Sequence, residues 1–257
     1  VIKMSTLLLD RSIIITGGST GIGRATALRC AEEGALVTIA DVNDDAGNEV
    51  VEMIAAKGIE AQYCNTNVTK AADVKNMVAQ AIQKFGKLDG AFNNAGIEGN
   101  FTSITKMTEE EYDRTVDVDM KGVWLCLKYQ IEALLKQESP GSIVSTASVA
   151  GLVGTRGGSA YCGAKHAVIG ITKSAALECA RKAIRINAVC PGVIQTPMVD
   201  RMTSGTGITP QALVEQEPMA RLGTPNEIGE AVIWLLSDLS SFVTGMAMPV
   251  DGGYTAL

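Results

Sequence analysis

Short β-branched and apolar runs alternate with longer amphipathic stretches along nearly the whole chain, and a glycine-rich turn closes the first of them. The first run, Ser12–Thr16, enters the turn, and an amphipathic segment over 22–33 follows and stops at Gly34. The pattern then repeats: runs at Leu36–Asp41, 61–64, 88–92, 142–145, 184–189 and 246–250, with helical periods over 44–57, 73–85, 108–136, 159–181 and 226–237. Thr108 followed by Glu111 is the residue pair of a helix-capping box. Runs of this length and composition suit strands buried on both faces, and strand–helix alternation calls for right-handed crossovers.

The predicted fold is therefore α/β: a single-domain, doubly wound parallel sheet (a Rossmann fold) with helices on both faces. The 257 residues suffice for one such domain over 1–257. The stretch 197–223 has no clean period and carries Gly205, Gly207 and Pro210. An irregular insertion of this kind, near the carboxyl ends of the strands, is expected to form a lid over a substrate.

Composition removes several classes of function. A net charge of −6 with no Lys/Arg run argues against a nucleic-acid or anionic-membrane surface. No apolar run is long enough for a bilayer, and Leu7-Leu8-Leu9 is too short for a signal h-region. Cys30, Cys64, Cys126, Cys162, Cys179 and Cys190 are scattered without a C-x-x-C pair, as expected of free thiols in the cytoplasm. His166 is the one histidine, so no His-rich metal site is possible and no metal is expected.

The turn reads Thr16-Gly17-Gly18-Ser19-Thr20-Gly21-Ile22-Gly23. Glycines there let the backbone turn sharply and approach a pyrophosphate, while the following helix aims its free N–H groups and positive dipole end at the phosphates. No Gly-Lys-Ser/Thr follows, which excludes an NTPase phosphate loop. Asp41 closes the second run. A carboxylate there accepts hydrogen bonds from an adenosine ribose and repels a 2′-phosphate, by about 4 kcal/mol at about 4 Å and an effective dielectric near ~20. With Val42-Asn43-Asp44-Asp45 behind it and no basic residue, NAD rather than NADP is the expected cofactor.

Tyr161-Cys162-Gly163-Ala164-Lys165 starts a predicted helix, where positions four apart share one face. A free phenol ionises near pH ~10, too high for an efficient base. An ammonium about 4 Å away stabilises the phenolate by about 4 kcal/mol before desolvation is subtracted. Tyr161 can then exchange a proton with a substrate oxygen as hydride moves at carbon. Ser148, on the turn after the 142–145 run, is placed to hold that oxygen.

Together with Asn93-Asn94-Ala95-Gly96 and Pro191-Gly192, these motifs resemble the short-chain dehydrogenase/reductase family over essentially the whole chain. The resemblance implies a catalytic trio of Ser148, Tyr161 and Lys165, with Lys165 also gripping the nicotinamide ribose. It implies Gly17, Ser19, Ile22 and Gly23 near the pyrophosphate, with Gly21 in the same turn, and Asp41 on the adenosine ribose. It places Asn67 and Val68 beside the adenine, Asn93, Ala95 and Gly96 on its ribose side, and Val193 and Thr196, after Pro191 and Gly192, on the carboxamide. It further implies a homotetramer, and Ile97, Leu152 and Val153 as walls of an apolar or cyclic substrate's pocket. Within the family, Asp41, the 92–97 segment, Ala164-Lys165-His166 and the Asp251–Thr255 ending are similar to NAD-dependent secondary-alcohol dehydrogenases of the cyclohexanol and dihydroxy-cyclohexadiene type.

The family usually carries a catalytic Asn in a Val-Asn-x-x-Gly context, and here the segment is Val118-Asp119-Met120-Lys121-Gly122. Asp119 either takes part in a proton relay or pairs with Lys165 and weakens its effect on Tyr161. Asp119 thus leaves open a dinucleotide-binding regulatory protein with an impaired site. A 3-oxoacyl thioester reductase shares the architecture but usually prefers NADPH and a basic docking patch. A methyltransferase on a related fold gives Tyr161 and Lys165 no role. Met198, Met202 and Met219 are read as pocket or gap-filling residues; Arg201 and Arg221 are read as solvated surface, with a contact to a substrate carboxylate as the alternative.

Overall fold

The computed structural model describes residues 6–204 and 209–256. Seven strands pair in parallel: β1 (Ser12–Thr16), β2 (Leu36–Asp41), β3 (Ala61–Asn65), β4 (Gly90–Asn93), β5 (Gly141–Thr146), β6 (Ile184–Pro191) and β7 (Ala247–Val250). Their order in the sheet is β3-β2-β1-β4-β5-β6-β7. The direction of winding reverses between β1 and β4, and the carboxyl ends of strands on either side of such a reversal diverge into a crevice.

Alternate residues of each strand feed opposite faces. Ile14, Ala91, Ile143 and Ile186 pack under α3 (Ala71–Phe85), α5 (Val123–Gln137) and α6 (Ser159–Cys179). Ile13, Ile15, Val37, Ile39, Phe92 and Val144 pack under α1 (Gly21–Glu32), α2 (Asp44–Ala55) and α9 (Pro225–Leu236). Ile13, Ile14 and Ile15 are all buried, and each contributes about 2 kcal/mol by leaving water. The three consecutive isoleucines of β1 are thus the consequence of two cores sharing one strand.

The fourth strand begins at Gly90 rather than at 88. Asp89 lies ahead of it and accepts the Ser12 N–H at 2.8 Å. The 108–136 period becomes two helices, α4 (Glu109–Val116) and α5, joined by a π-helical segment, Asp117–Gly122. The expected capping box forms: Thr108 Oγ1 accepts the Glu111 N–H, and Glu111 returns to the Thr108 N–H. The irregular 197–223 stretch holds two short helices, α7 (Pro197–Thr203) and α8 (Pro210–Val214). Gly205 and Gly207 lie outside the described residues. Among the described residues, no helix is long and apolar enough to cross a membrane.

A buried polar pair ties α5 to the central sheet. The buried Asn93 and Gln130 amides exchange hydrogen bonds at 2.9 and 2.8 Å. Gln130→Leu leaves the Asn93 amide buried without its partner, at a cost of about 2 kcal/mol; urea unfolding with an unchanged m-value is the check.

Candidate active site

The crevice at the winding reversal is a cleft of about 490 Å³, within the roughly 300–1,000 Å³ usual for small-molecule sites. Two side chains hold its floor together. Thr16 Oγ1 accepts the N–H groups of Asn94 and Ala95 at 3.0 and 3.1 Å, clamping β1 to the end of β4. Asn94 Nδ2 donates to the Gly17 carbonyl, and Thr146 Oγ1 donates to Asn94 Oδ1, which brings in β5. Thr16 opens the glycine-rich turn motif, whereas Thr146 carries no sequence signature beyond its place at a strand end.

The turn after β1 forms one side of the cleft. Gly17 has a φ of +62°, and a Cβ there would stand 2.8 Å from the Ala95 Cα. Gly23 packs beneath it, where a Cβ would overlap the Gly17 carbonyl. The N-cap of α1, Thr20, makes no side-chain cap, so the first-turn N–H groups are left for another acceptor. Gly17, Gly21 and Ile22 line the cleft, as do Asp41, Asn67, Val68, Ala95, Gly96, Pro191, Gly192, Val193 and Thr196. A glycine cradle facing an uncapped helix terminus, with a carboxylate and two strand-end loops beside it, fits a dinucleotide.

Not every expected site residue is presented to the cleft. Asn93 turns away from the cleft into its pair with Gln130, because β4 alternates faces and Asn94 takes the open side. Ser19 is buried, and its Oγ donates to Asp41 Oδ2 at 2.5 Å. Gly23 supports the turn from below. Val193 lines the cleft, but its N–H already donates to Glu217 Oε1 at 2.8 Å, so that amide is engaged. Leu152 and Val153 are exposed and outside the cleft lining, whereas Ile97 lines it. Asp41 also accepts the Ser19, Val42 and Asn43 N–H groups, an organised acceptor rather than a loose surface charge.

Opposite the cradle lie Ser148, Tyr161 and Lys165. Ser148 caps a short 3₁₀ turn after β5, its hydroxyl accepting the Ala150 N–H at 3.1 Å, and lines the same cleft as Tyr161. Tyr161 and Lys165 share one face of α6, with the ammonium 5.4 Å from the phenol ring centre. Lys165 is buried and donates to the Thr146 carbonyl at 3.2 Å. Its charge is met by Asp119, from the π-helical segment, with Nζ 3.3 Å from Oδ1. That oxygen also accepts the Ile97 N–H, while Oδ2 is buried with no hydrogen-bond partner among the described residues. A Cβ at Gly96 would lie 2.5 Å from Asp119 Oδ1, so a larger residue there would displace the carboxylate.

The electrostatics of this group run against the sequence expectation. Burial pushes the Tyr161 phenol above its ordinary pKa; Lys165 and the Ser148 hydroxyl pull down, Asp119 pushes up, and the net direction is up. Burial likewise raises the Asp119 carboxyl against the pull of Lys165. For Lys165, burial pulls down, but Asp119 and Tyr161 outweigh it. In the protein without cofactor the phenol is therefore protonated at neutral pH. Lys165 alone does not acidify it, because burial outweighs that pull and Asp119 offsets part of it.

The outer part of the cleft is mostly apolar: Ile97, Phe101, Val149, Met198, Met202 and Leu213. The Phe101 ring sits 6.3 Å from that of Tyr161, a contact no motif announced. Met219 belongs to a smaller cavity behind the 191–194 loop. His166 faces away, its Nδ1 bonded to the Cys162 carbonyl. Among the described residues, no group of His, Cys, Asp or Glu is arranged to hold a metal ion.

Fold and site together define a dinucleotide-dependent oxidoreductase. Residues 17–255 match a family profile described as enoyl-(acyl carrier protein) reductase. The chain is 45% identical to 2,5-dichloro-2,5-cyclohexadiene-1,4-diol dehydrogenase of Sphingobium indicum over 97% of its own length and 99% of the relative's. It is 42% identical to cyclohexanol dehydrogenase of an Acinetobacter species, covering 98% of each. The crystal structure of levodione reductase superposes with a TM-score of 0.92 at 38% identity, covering 97% of this chain and 99% of that one. The chain belongs to the short-chain dehydrogenase/reductase family and is an oxidoreductase.

Glu217, which carries no motif, holds the loop after β6 from behind. It is buried, with its oxygens against Gly192 and Gly252. Burial raises its pKa against the pull of the Val193 N–H, and Asp251 raises it further. A carboxyl whose folded pKa is raised loses stability as pH climbs from the unfolded value through the folded one. Glu217→Gln keeps an acceptor for Val193 and removes that penalty, so its Tm relative to wild type is expected to be more favourable at pH 7 than at pH 4, read by calorimetry at both.

Proposed function

We propose that the protein interconverts a secondary alcohol and a ketone using NAD(H), and that its substrate is apolar and cyclic. The observation that carries this is the convergence of Ser148, Tyr161 and Lys165 on one wall of a cleft whose other wall is the glycine cradle. Gly17, Gly21, Ile22 and the N-terminus of α1 would hold the pyrophosphate, with Asp41 on the adenosine ribose and Lys165 on the nicotinamide ribose. Asn67, Val68, Ala95 and Gly96 would flank the adenosine, and Pro191 to Thr196 the nicotinamide. When bound, the nicotinamide supplies or accepts the hydride at carbon.

The chain's own residues handle the proton. In reduction, the protonated Tyr161 Oη donates to the forming alkoxide, and Ser148 Oγ holds that oxygen in place. In oxidation, the phenolate takes the alcohol's proton, so this direction needs higher pH. Lys165 stabilises the phenolate, and Asp119 keeps Lys165 charged and fixed. α7, with Met198 and Met202, and α8, with Leu213, act as the lid that keeps water from the carbonyl. The relatives named for cyclohexanol and cyclohexadienediol support a ring-shaped substrate. We further infer a homotetramer, in which copies cover exposed Trp124, Leu177 and Phe242, and a cytoplasmic site, consistent with six free, buried cysteines.

NADH consumption with cyclic ketones is the direct test, and binding without turnover on every ketone would favour a regulatory dinucleotide-binding role. Tyr161→Phe is expected to lower kcat by about 10²–10⁴ with NADH affinity retained. Asp41→Ala should raise the NADP/NAD ratio of kcat/KM by about tenfold or more, and an unchanged ratio removes Asp41 from cofactor choice. Asp119→Asn deletes a charge that holds the phenol's pKa up, so the alkaline-rising limb of alcohol oxidation should move down by about one pH unit. A pH–rate profile that stays in place excludes Asp119 from the relay.

A further inference from the structure

The cleft is lined by five charged side chains, Asp41, Glu98, Asp119, Lys165 and Arg201. Both cations among them are already matched. Lys165 is paired with Asp119 at the bottom. At the mouth, Arg201 on α7 grips Glu98, in the loop after β4, through two parallel bonds: Nε to Oε1 at 2.9 Å and Nη2 to Oε2 at 3.1 Å. This fork spans the opening between the lid helix and the sheet, beside Ile97, Met198 and Met202.

The fork is engaged but not entombed. The Arg201 side chain keeps 60% of its exposure and Glu98 23%. Burial pushes the Glu98 carboxyl up, but the Arg201 fork and the charge of Arg114 outweigh it and hold the pKa below its ordinary value. Glu98 is therefore an anion at neutral pH. A guanidinium in an apolar rim is the group that would hold a substrate carboxylate or sulfonate by a bidentate contact, and here its fork is taken by the protein itself. An anionic substrate would have to displace Glu98 and then lie beside an unpaired carboxylate.

We propose that Glu98 is a specificity-determining residue: by occupying Arg201 it restricts the cleft to uncharged substrates, and its removal turns Arg201 into a receptor for anionic ketones. This rests on the carbonyl chemistry proposed above and narrows its substrate class. The fork has a second consequence. The same pair joins α7 to the loop after β4, so the group that rejects anions also fixes the lid.

The test compares cyclohexanone with 4-oxocyclohexane-1-carboxylate, which share a ring and a carbonyl and differ by one charge. Wild type should favour the neutral ketone in kcat/KM. Glu98→Gln should shift the ratio toward the anion by about tenfold, equivalent to about 1.4 kcal/mol, and adding Arg201→Gln should abolish the gain. Arg201→Gln alone leaves an unpaired carboxylate at the mouth and should sharpen rejection of the anion. An unchanged ratio in Glu98→Gln, or better use of the anion by wild type or by Arg201→Gln, overturns the proposal. The same comparison is read without turnover, as the affinity of each ketone for the NADH-loaded protein by ligand-observed NMR. If neither ketone is reduced, the carbonyl chemistry fails, and the affinity ratio still decides the role of Glu98.

Discussion

The candidate site depends on one buried ammonium. Lys165 is almost wholly removed from water, and an isolated cation in that position would cost many kcal/mol or lose its proton. The Thr146 carbonyl and the Asp119 carboxylate offset that cost. Each of them comes from a different layer: the end of β5 and the π-helical segment above it. The ammonium is therefore a joint between sheet and helices as well as a charge beside the phenol. Asp119 alters its chemistry in kind. A neutral amide at that position would leave the ammonium's full field to act on Tyr161, whereas the carboxylate fixes the ammonium and spends part of the field.

The π-helical segment explains how a carboxylate reaches that depth. The extra residue per turn widens the helix at Asp117–Gly122, so Asp119 faces inward while α5 resumes with Val123, Leu125 and Leu127 buried. Such widened turns recur at functional sites because they change which residues face the core without breaking the helix. Gly122 permits the close packing that results, since a Cβ there would meet Val68 at 2.8 Å.

Much of the fold was legible because it rests on local, repeated signals. The strand runs were readable from β-branched density, and the start of α4 from Thr108 and Glu111, since both depend on residues near in sequence. What escaped depends on distant partners. Asn93 is claimed by Gln130 from α5, the Val193 N–H by Glu217 from beyond α8, and the Ser19 hydroxyl by Asp41 from the next strand. A widened helical turn carries no compositional mark, so the 108–136 period read as one continuous helix. The direction of the Tyr161 pKa was missed for a related reason. The pull of a lysine four residues away is visible in the motif, whereas desolvation is set by everything that packs around the phenol.

The two ion pairs of the cleft differ in what they allow. The pair at the bottom is buried on both sides, so removing either partner strands a charge in low dielectric, a loss typically of about 3–5 kcal/mol. The pair at the mouth is partly hydrated, and pairs of that kind are worth about 0–1 kcal/mol. Depth therefore separates two kinds of charge. The buried pair is costly to change, while the rim pair can be exchanged at small cost to the fold. In a cleft built this way, the charges at the bottom are held by the fold and those at the mouth are free to differ.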